Sequence, residues 1–137
     1  MTRENKELLL KDLCSRLPYG VKVQNELGKI NKLVIGNADL VRLYYNDFSI
    51  YGENSLSLPF LRPLSSITDE ELHEVHEILG KCVEIYNGFD IVDILQEKIF
   101  SLFELQAVFE WLLKNHFDYR GLIEKGLAID ATGLNIY

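Results

Sequence analysis

The 137-residue chain is 47% apolar and 26% charged, with a formal net charge of −7, which excludes a disordered or fibrous protein. Its longest apolar runs are a few residues, far short of the roughly 20 that cross a membrane. The N-terminus mixes both signs of charge where a secretory signal would be basic and then apolar, so a cytoplasmic protein without a membrane partner is expected.

Residues 3–17 read as an amphipathic helix. Leu9, Leu13 and Leu17 make the stripe, with Leu10 and Cys14 beside it, while Glu4, Lys6, Glu7, Lys11 and Asp12 fill the polar side. Pro18 stops it, because a proline pushes the preceding residue out of helical geometry. From Val21 to Leu64 the period becomes strand-like. Val21 and Val23 alternate with polar residues, 25–28 is a turn cluster, and 30–35 is rich in β-branched residues. Residues 40–45 and 48–51 read as further strands about an Asn46-Asp47 turn. Leu56, Leu58 and Phe60 form another, which Pro59 and Pro63 assign to a sheet edge. Strands at this spacing predict a small antiparallel meander or barrel.

Ile67-Thr68-Asp69-Glu70-Glu71-Leu72 has the capping-box spacing, Thr68 with Glu71, inside a hydrophobic staple of Ile67 and Leu72, and starts a helix running to Leu79. Phe100-Ser101-Leu102-Phe103-Glu104-Leu105 repeats the device before a helix to about Asn115 that buries Leu105, Val108, Trp111 and Leu112. Between them, Val83 to Tyr86 suits a strand, and 89–100 suits a short helix or a second strand. A helical turn closed by Gly126 and an extended 127–129 complete the chain. The fold class is α+β: an N-terminal helix, a small antiparallel β meander or barrel, and two main C-terminal helices in one domain over residues 1–137. The helices lack sustained heptads, so oligomeric state is not legible, though a sheet edge can pair with its twin.

Three runs carry chemistry-bearing residues. Asn115-His116-Phe117-Asp118-Tyr119-Arg120-Gly121 places an imidazole, a carboxylate, a phenol and a guanidinium just beyond a helix C-terminus. There the helix dipole would favour a cationic His116, Asp118 suits the cap of the next turn, and Arg120 suits a pair with Asp118 or a partner. His116 with Asp118 is half of a general-base pair, but no nucleophile or oxyanion site accompanies it. Tyr44, Tyr45, Phe48 and Tyr51, with Lys22, Lys29, Lys32 and Arg42 near in sequence, would make a stacking platform for single-stranded nucleic acid if they shared one sheet. The ordinary reading is that alternate aromatics are core.

His73 and His76 stand three apart, not the four of a helical zinc motif, so they read as a solvated face and the edge of the core. Cys14 and Cys82 are far apart and read as buried, inert thiols. There is no Gly-rich phosphate loop, so no metal or cofactor is expected. The charge is uneven, with nine Lys/Arg against seven Asp/Glu up to Ser65 and five against fourteen beyond. That balance disfavours nucleic-acid contact by the C-terminal half.

Leu8-Leu9-Leu10-Lys11-Asp12-Leu13-Cys14-Ser15-Arg16-Leu17-Pro18-Tyr19-Gly20-Val21, Leu61-Arg62-Pro63-Leu64-Ser65-Ser66-Ile67-Thr68, and Trp111-Leu112 with His116-Phe117-Asp118-Tyr119-Arg120-Gly121-Leu122-Ile123 together resemble small uncharacterised proteins of gut Bacteroides-type bacteria and their phages and mobile elements. The resemblance implies an accessory protein and supplies no activity. The leading expectation is a non-enzymatic protein-interaction module that contacts another protein through Arg62, His116, Asp118, Tyr119 and Arg120. The alternatives are a nucleic-acid-binding module using Lys32, Arg42, Tyr44 and Tyr45, and an enzyme with a His116/Asp118 acid–base pair.

Overall fold

The computed structural model describes residues 2–25, 27–34, 37–45, 56–79 and 102–137. Helix α1 (Arg3–Arg16) starts where the Thr2 hydroxyl accepts the Asn5 amide, and it ends in a single 3-10 turn, Leu17–Tyr19, with Pro18 inside it. Strands β1 (Lys22–Gln24) and β2 (Ile30–Lys32) form a hairpin. The Asn25 side chain closes its turn by accepting the amides of Leu27 and Lys29. Helix α2 (Ala38–Tyr45), strand β3 (Leu58–Pro63), a 3-10 turn at Leu64–Ser66 and helix α3 (Asp69–Leu79) follow. Helix α4 (Leu102–Lys114) then leads into β4 (Phe117–Asp118) and β5 (Ile129–Asp130).

The fold is α+β with a mixed five-stranded sheet that does not close into a barrel. The order is β2-β1-β3-β4, with β5 also on β3. β1 pairs antiparallel with both β2 and β3, whereas β4 and β5 run parallel to β3. The antiparallel meander is therefore only its first part.

Two expectations are corrected here. Residues 40–45 are helical, because Asn37 caps the segment: its side-chain oxygen accepts the Leu40 amide and its carbonyl the Val41 amide. Leu40 and Leu43 then share the buried face while Val41, Tyr44 and Tyr45 turn outward. β3 is the hub of the sheet and not its edge. Its partners change along its length, β1 at Leu58 and Pro59, β5 at Phe60 and Leu61, β4 at Arg62 and Pro63. The Arg62 amide, between the two prolines, donates to the His116 carbonyl at 2.8 Å.

The Thr68–Glu71 capping box forms as read: the Glu71 amide donates to the Thr68 hydroxyl and the Thr68 amide to the Glu71 carboxylate, each at 3.2 Å. Ile67 and Leu72 both pack on the core formed by Val75, Val108, Trp111, Leu112 and Phe117, between α3, α4 and β4. The indole N–H of Trp111 reaches the Glu74 carboxylate at 3.0 Å, linking α4 to α3. A second core of Leu9, Leu13, Val21, Leu33, Leu61 and Leu122 joins α1 to the sheet. Gly126, at φ 71°, closes the turn after β4 as expected.

The α1 stripe differs from the expected one. Asp12 and Arg16 are buried beside Leu9 and Leu13, and Cys14 is exposed. Residues 9, 12, 13 and 16 share one helical face, which Cys14 leaves by about 100°. The second capping box depends on Ser101, and the readings for 48–51, Cys82, 83–86 and 89–100 likewise lie outside the described residues. No helix among the described residues is long and apolar enough to cross a membrane.

Candidate functional site

Parallel pairing of β3 with β4 sets Arg62 against Phe117 and Pro63 against Asp118, so the two segments singled out in the sequence do meet. Arg62 is clamped there. Both terminal nitrogens hold the Glu71 carboxylate, at 2.8 and 2.7 Å, and its guanidinium lies 4.2 Å from the centre of the Phe117 ring, on which Trp111 also stacks. The arginine beside Glu71 holds its carboxyl below the usual range against the opposing effect of burial.

The remaining corner residues face inward. Asp118 is buried, and its two oxygens accept the Leu122 and Ile123 amides, each at 2.9 Å. It caps the following turn, as its position suggested, with one backbone amide on each oxygen. His116 Nδ1 is itself buried without a hydrogen-bond partner among the described residues, so Asp118 does not orient that nitrogen. Arg120 pairs not with Asp118 but with Asp12 at 3.3 Å, and it donates to the Tyr119 hydroxyl at 2.7 Å.

Asp12 is shared. Arg16 donates to it from Nε at 2.7 Å and Nη2 at 3.2 Å, and Nη2 also reaches the Phe117 carbonyl at 2.7 Å. Asp12 and Arg16 are completely shielded from solvent. This network ties α1 to the corner, and sequence reading missed it; the i,i+4 spacing of Asp12 and Arg16 was its one visible signal.

His116 closes α4 in the left-handed conformation, φ 64°, the place usually held by glycine or asparagine. Its ring stacks on Tyr137, centres 3.6 Å apart and planes 11° apart. Burial pushes the imidazole down to about 4, and the cations Arg16, Arg62 and Lys22 push the same way. His116 is therefore neutral at pH 7, not the cation the helix dipole alone would favour. The Tyr137 hydroxyl accepts the Lys22 amide at 2.9 Å and donates to the Phe60 carbonyl at 2.8 Å. It bridges β1 and β3 where their direct pairing, Val23 with Pro59, gives out. Burial holds the phenol up at about 12, so it stays a donor.

Beside this stack lies a cleft of about 340 Å³, lined by Arg62 and Ser66 on one stretch of chain and by 131–133 and 135–137 on another. Its side chains include a guanidinium, hydroxyls and an amide but no carboxylate.

The nucleic-acid candidates do not share a sheet. Lys32 is on β2, while Arg42, Tyr44 and Tyr45 are on α2, and the two tyrosines meet edge to face at 5.0 Å and 84°. His73 is exposed on α3 and contacts Glu77 at 3.4 Å, whereas His76 is buried on the same helix. Among the described residues no three of His, Cys, Asp and Glu form a group that could hold a metal ion.

An accessible surface lies along the β1–β2 hairpin. Leu33 donates to Val21 and Asn25 to Lys29, so the backbone groups of Ile30 and Lys32 point away from β1. All three residues of β2 are exposed, and Leu27, Ile30 and Val34 are 86%, 43% and 56% exposed. Lys22 and Lys32 stand directly opposite each other, opposed to the face that buries Val23 and Leu33. Like charges so placed repel. Comparison with family models, with curated proteins and with solved structures finds no match to this chain.

Proposed function

We propose that the protein is a non-enzymatic protein-interaction module that takes an extended, acidic segment of a partner protein along the outer edge of β2. The observation that carries this reading is the cross-strand Lys22–Lys32 pair beside an edge strand with outward backbone groups and exposed Ile30 and Val34. An added strand would satisfy the edge amides and carbonyls, and acidic residues at alternate positions would relieve the lysine repulsion. Lys22, Lys29 and Lys32 oppose only Glu26 between residues 20 and 37, a basic island in a chain of net charge −7. The contact surface expected from Arg62, His116, Asp118, Tyr119 and Arg120 moves to this hairpin, because those side chains hold the fold's own corner together. An accessory role in a phage or mobile element rests on the sequence resemblance alone.

The test is selection from a display library of extended peptides with the whole protein as bait. Enriched peptides should alternate apolar residues with Asp or Glu, and the double variant Lys29→Glu/Lys32→Glu should lose them and favour basic peptides instead. Enrichment that ignores the charge reversal, or none, overturns the proposal. An oligonucleotide that binds in place of peptide, with affinity falling steeply with salt, would replace it with the nucleic-acid reading.

A further inference from the structure

The geometry points to a binding site for a small oxyanion, a phosphoryl or carboxylate group, in the cleft between Arg62 and the Thr132–Tyr137 loop. Gly133 and Asn135 line that cleft with φ of 75° and 50°, so left-handed residues alternate along the loop. Such alternation curls a backbone so that successive N–H groups face one concavity, the arrangement that binds anions in backbone nests. Among the described residues neither amide has an acceptor, although neighbouring ones do: Thr132 donates to Asp130 and Leu134 to Ala131.

The charged surroundings agree. Arg62 enters the lining with its guanidinium already fixed by Glu71 and Phe117, so its remaining N–H groups are ordered in advance while the Glu71 carboxylate offsets its charge. Lys22 lies alongside, its ammonium on the Ile136 carbonyl at 2.6 Å. Among the described residues no Asp or Glu side chain lines the cleft, and the Glu71 and Asp130 carboxylates are held by Arg62 and the Thr68 cap and by Thr132. Gly133 has the space as well as the conformation: a Cβ there would meet nothing within 4 Å, so the loop is open on this side. Phosphate and carboxylate both offer the acceptor oxygens that such donors take. This site shares Lys22 with the β2 edge, but its readout at the Gly133 and Asn135 amides does not depend on a peptide bound there.

The full-length protein is titrated with sodium phosphate, and separately with sodium acetate, at ionic strength held constant with chloride. The Gly133 and Asn135 amide resonances are followed. Saturable shifts confined to this loop are expected, and Asn135→Asp, which keeps the left-handed preference while adding a carboxylate, should weaken them about tenfold or more. Saturation by phosphate alone assigns a phosphoryl ligand, and saturation by acetate alone a carboxylate. No saturable shift with either anion, or an unchanged titration in a folded Asn135→Asp variant, overturns the proposal.

Discussion

Replacing Asp12 with alanine tests whether the buried charge network holds α1 to the corner. Asp12 accepts from Arg16 at 2.7 and 3.2 Å and lies 3.3 Å from the Arg120 guanidinium, with Asp12 and Arg16 at zero exposure. Without it, Arg16 keeps only the Phe117 carbonyl, and its Nη1 already lacks an acceptor. Removing one partner of a buried ion pair costs about 3–5 kcal/mol, because the other charge stays desolvated and unmatched. That is about a third of the stability of an ordinary domain. Urea unfolding followed by circular dichroism should show the midpoint falling with an unchanged slope. The double variant Asp12→Leu/Arg16→Met removes both charges, and it should recover most of the loss, because an apolar pair of similar size is about neutral. Arg120 retains the Tyr119 hydroxyl in that variant. A loss below about 1 kcal/mol for Asp12→Ala, or a double variant less stable than the single, refutes the reasoning.

Tyr137→Phe removes the hydroxyl that joins the exposed Lys22 amide to the part-buried Phe60 carbonyl where β1 and β3 part. A loss of about 1 kcal/mol is expected together with faster hydrogen exchange at Lys22, and unchanged exchange there would count against the bridge. Stability should also fall with pH on the acid side. His116 drops to about 4 on folding from an ordinary 6.5, so the unfolded chain takes up the proton first. The stability it contributes is complete above about 6.5 and is lost as the pH falls towards 4. His76, also lowered by burial, acts with the same sign, and Glu71, held below its ordinary value, adds a loss at still lower pH. His116→Asn keeps the left-handed preference and should flatten much of the slope of melting temperature against pH between 6.5 and 4.5. An identical slope in the variant would show that His116 does not carry it.

What was legible in the sequence was local. The Thr68–Glu71 box, the Asn25–Gly28 turn, the stop at Pro18 and the Gly126 closure each depend on groups a few residues apart, and each formed as read. Residues 40–45 were misread because valine and tyrosine favour strands, yet Asn37 caps a helix there and burial of Leu40 and Leu43 selects it. The Asp118 cap was legible from its position, but that both its oxygens would be taken up in this way was not.

The sheet and the site were decided by tertiary structure. Proline marks an edge only when one neighbour is assumed along the whole strand, and β3 changes neighbours every two residues. Asp12 reads as part of the polar side of α1, yet it and Arg16 form a buried pair because the corner at Phe117 docks over them. The cleft joins Arg62 to Gly133 and Asn135 only because β5 runs parallel to β3. Parallel pairing needs a long crossover, so no short sequence window contains both of its walls.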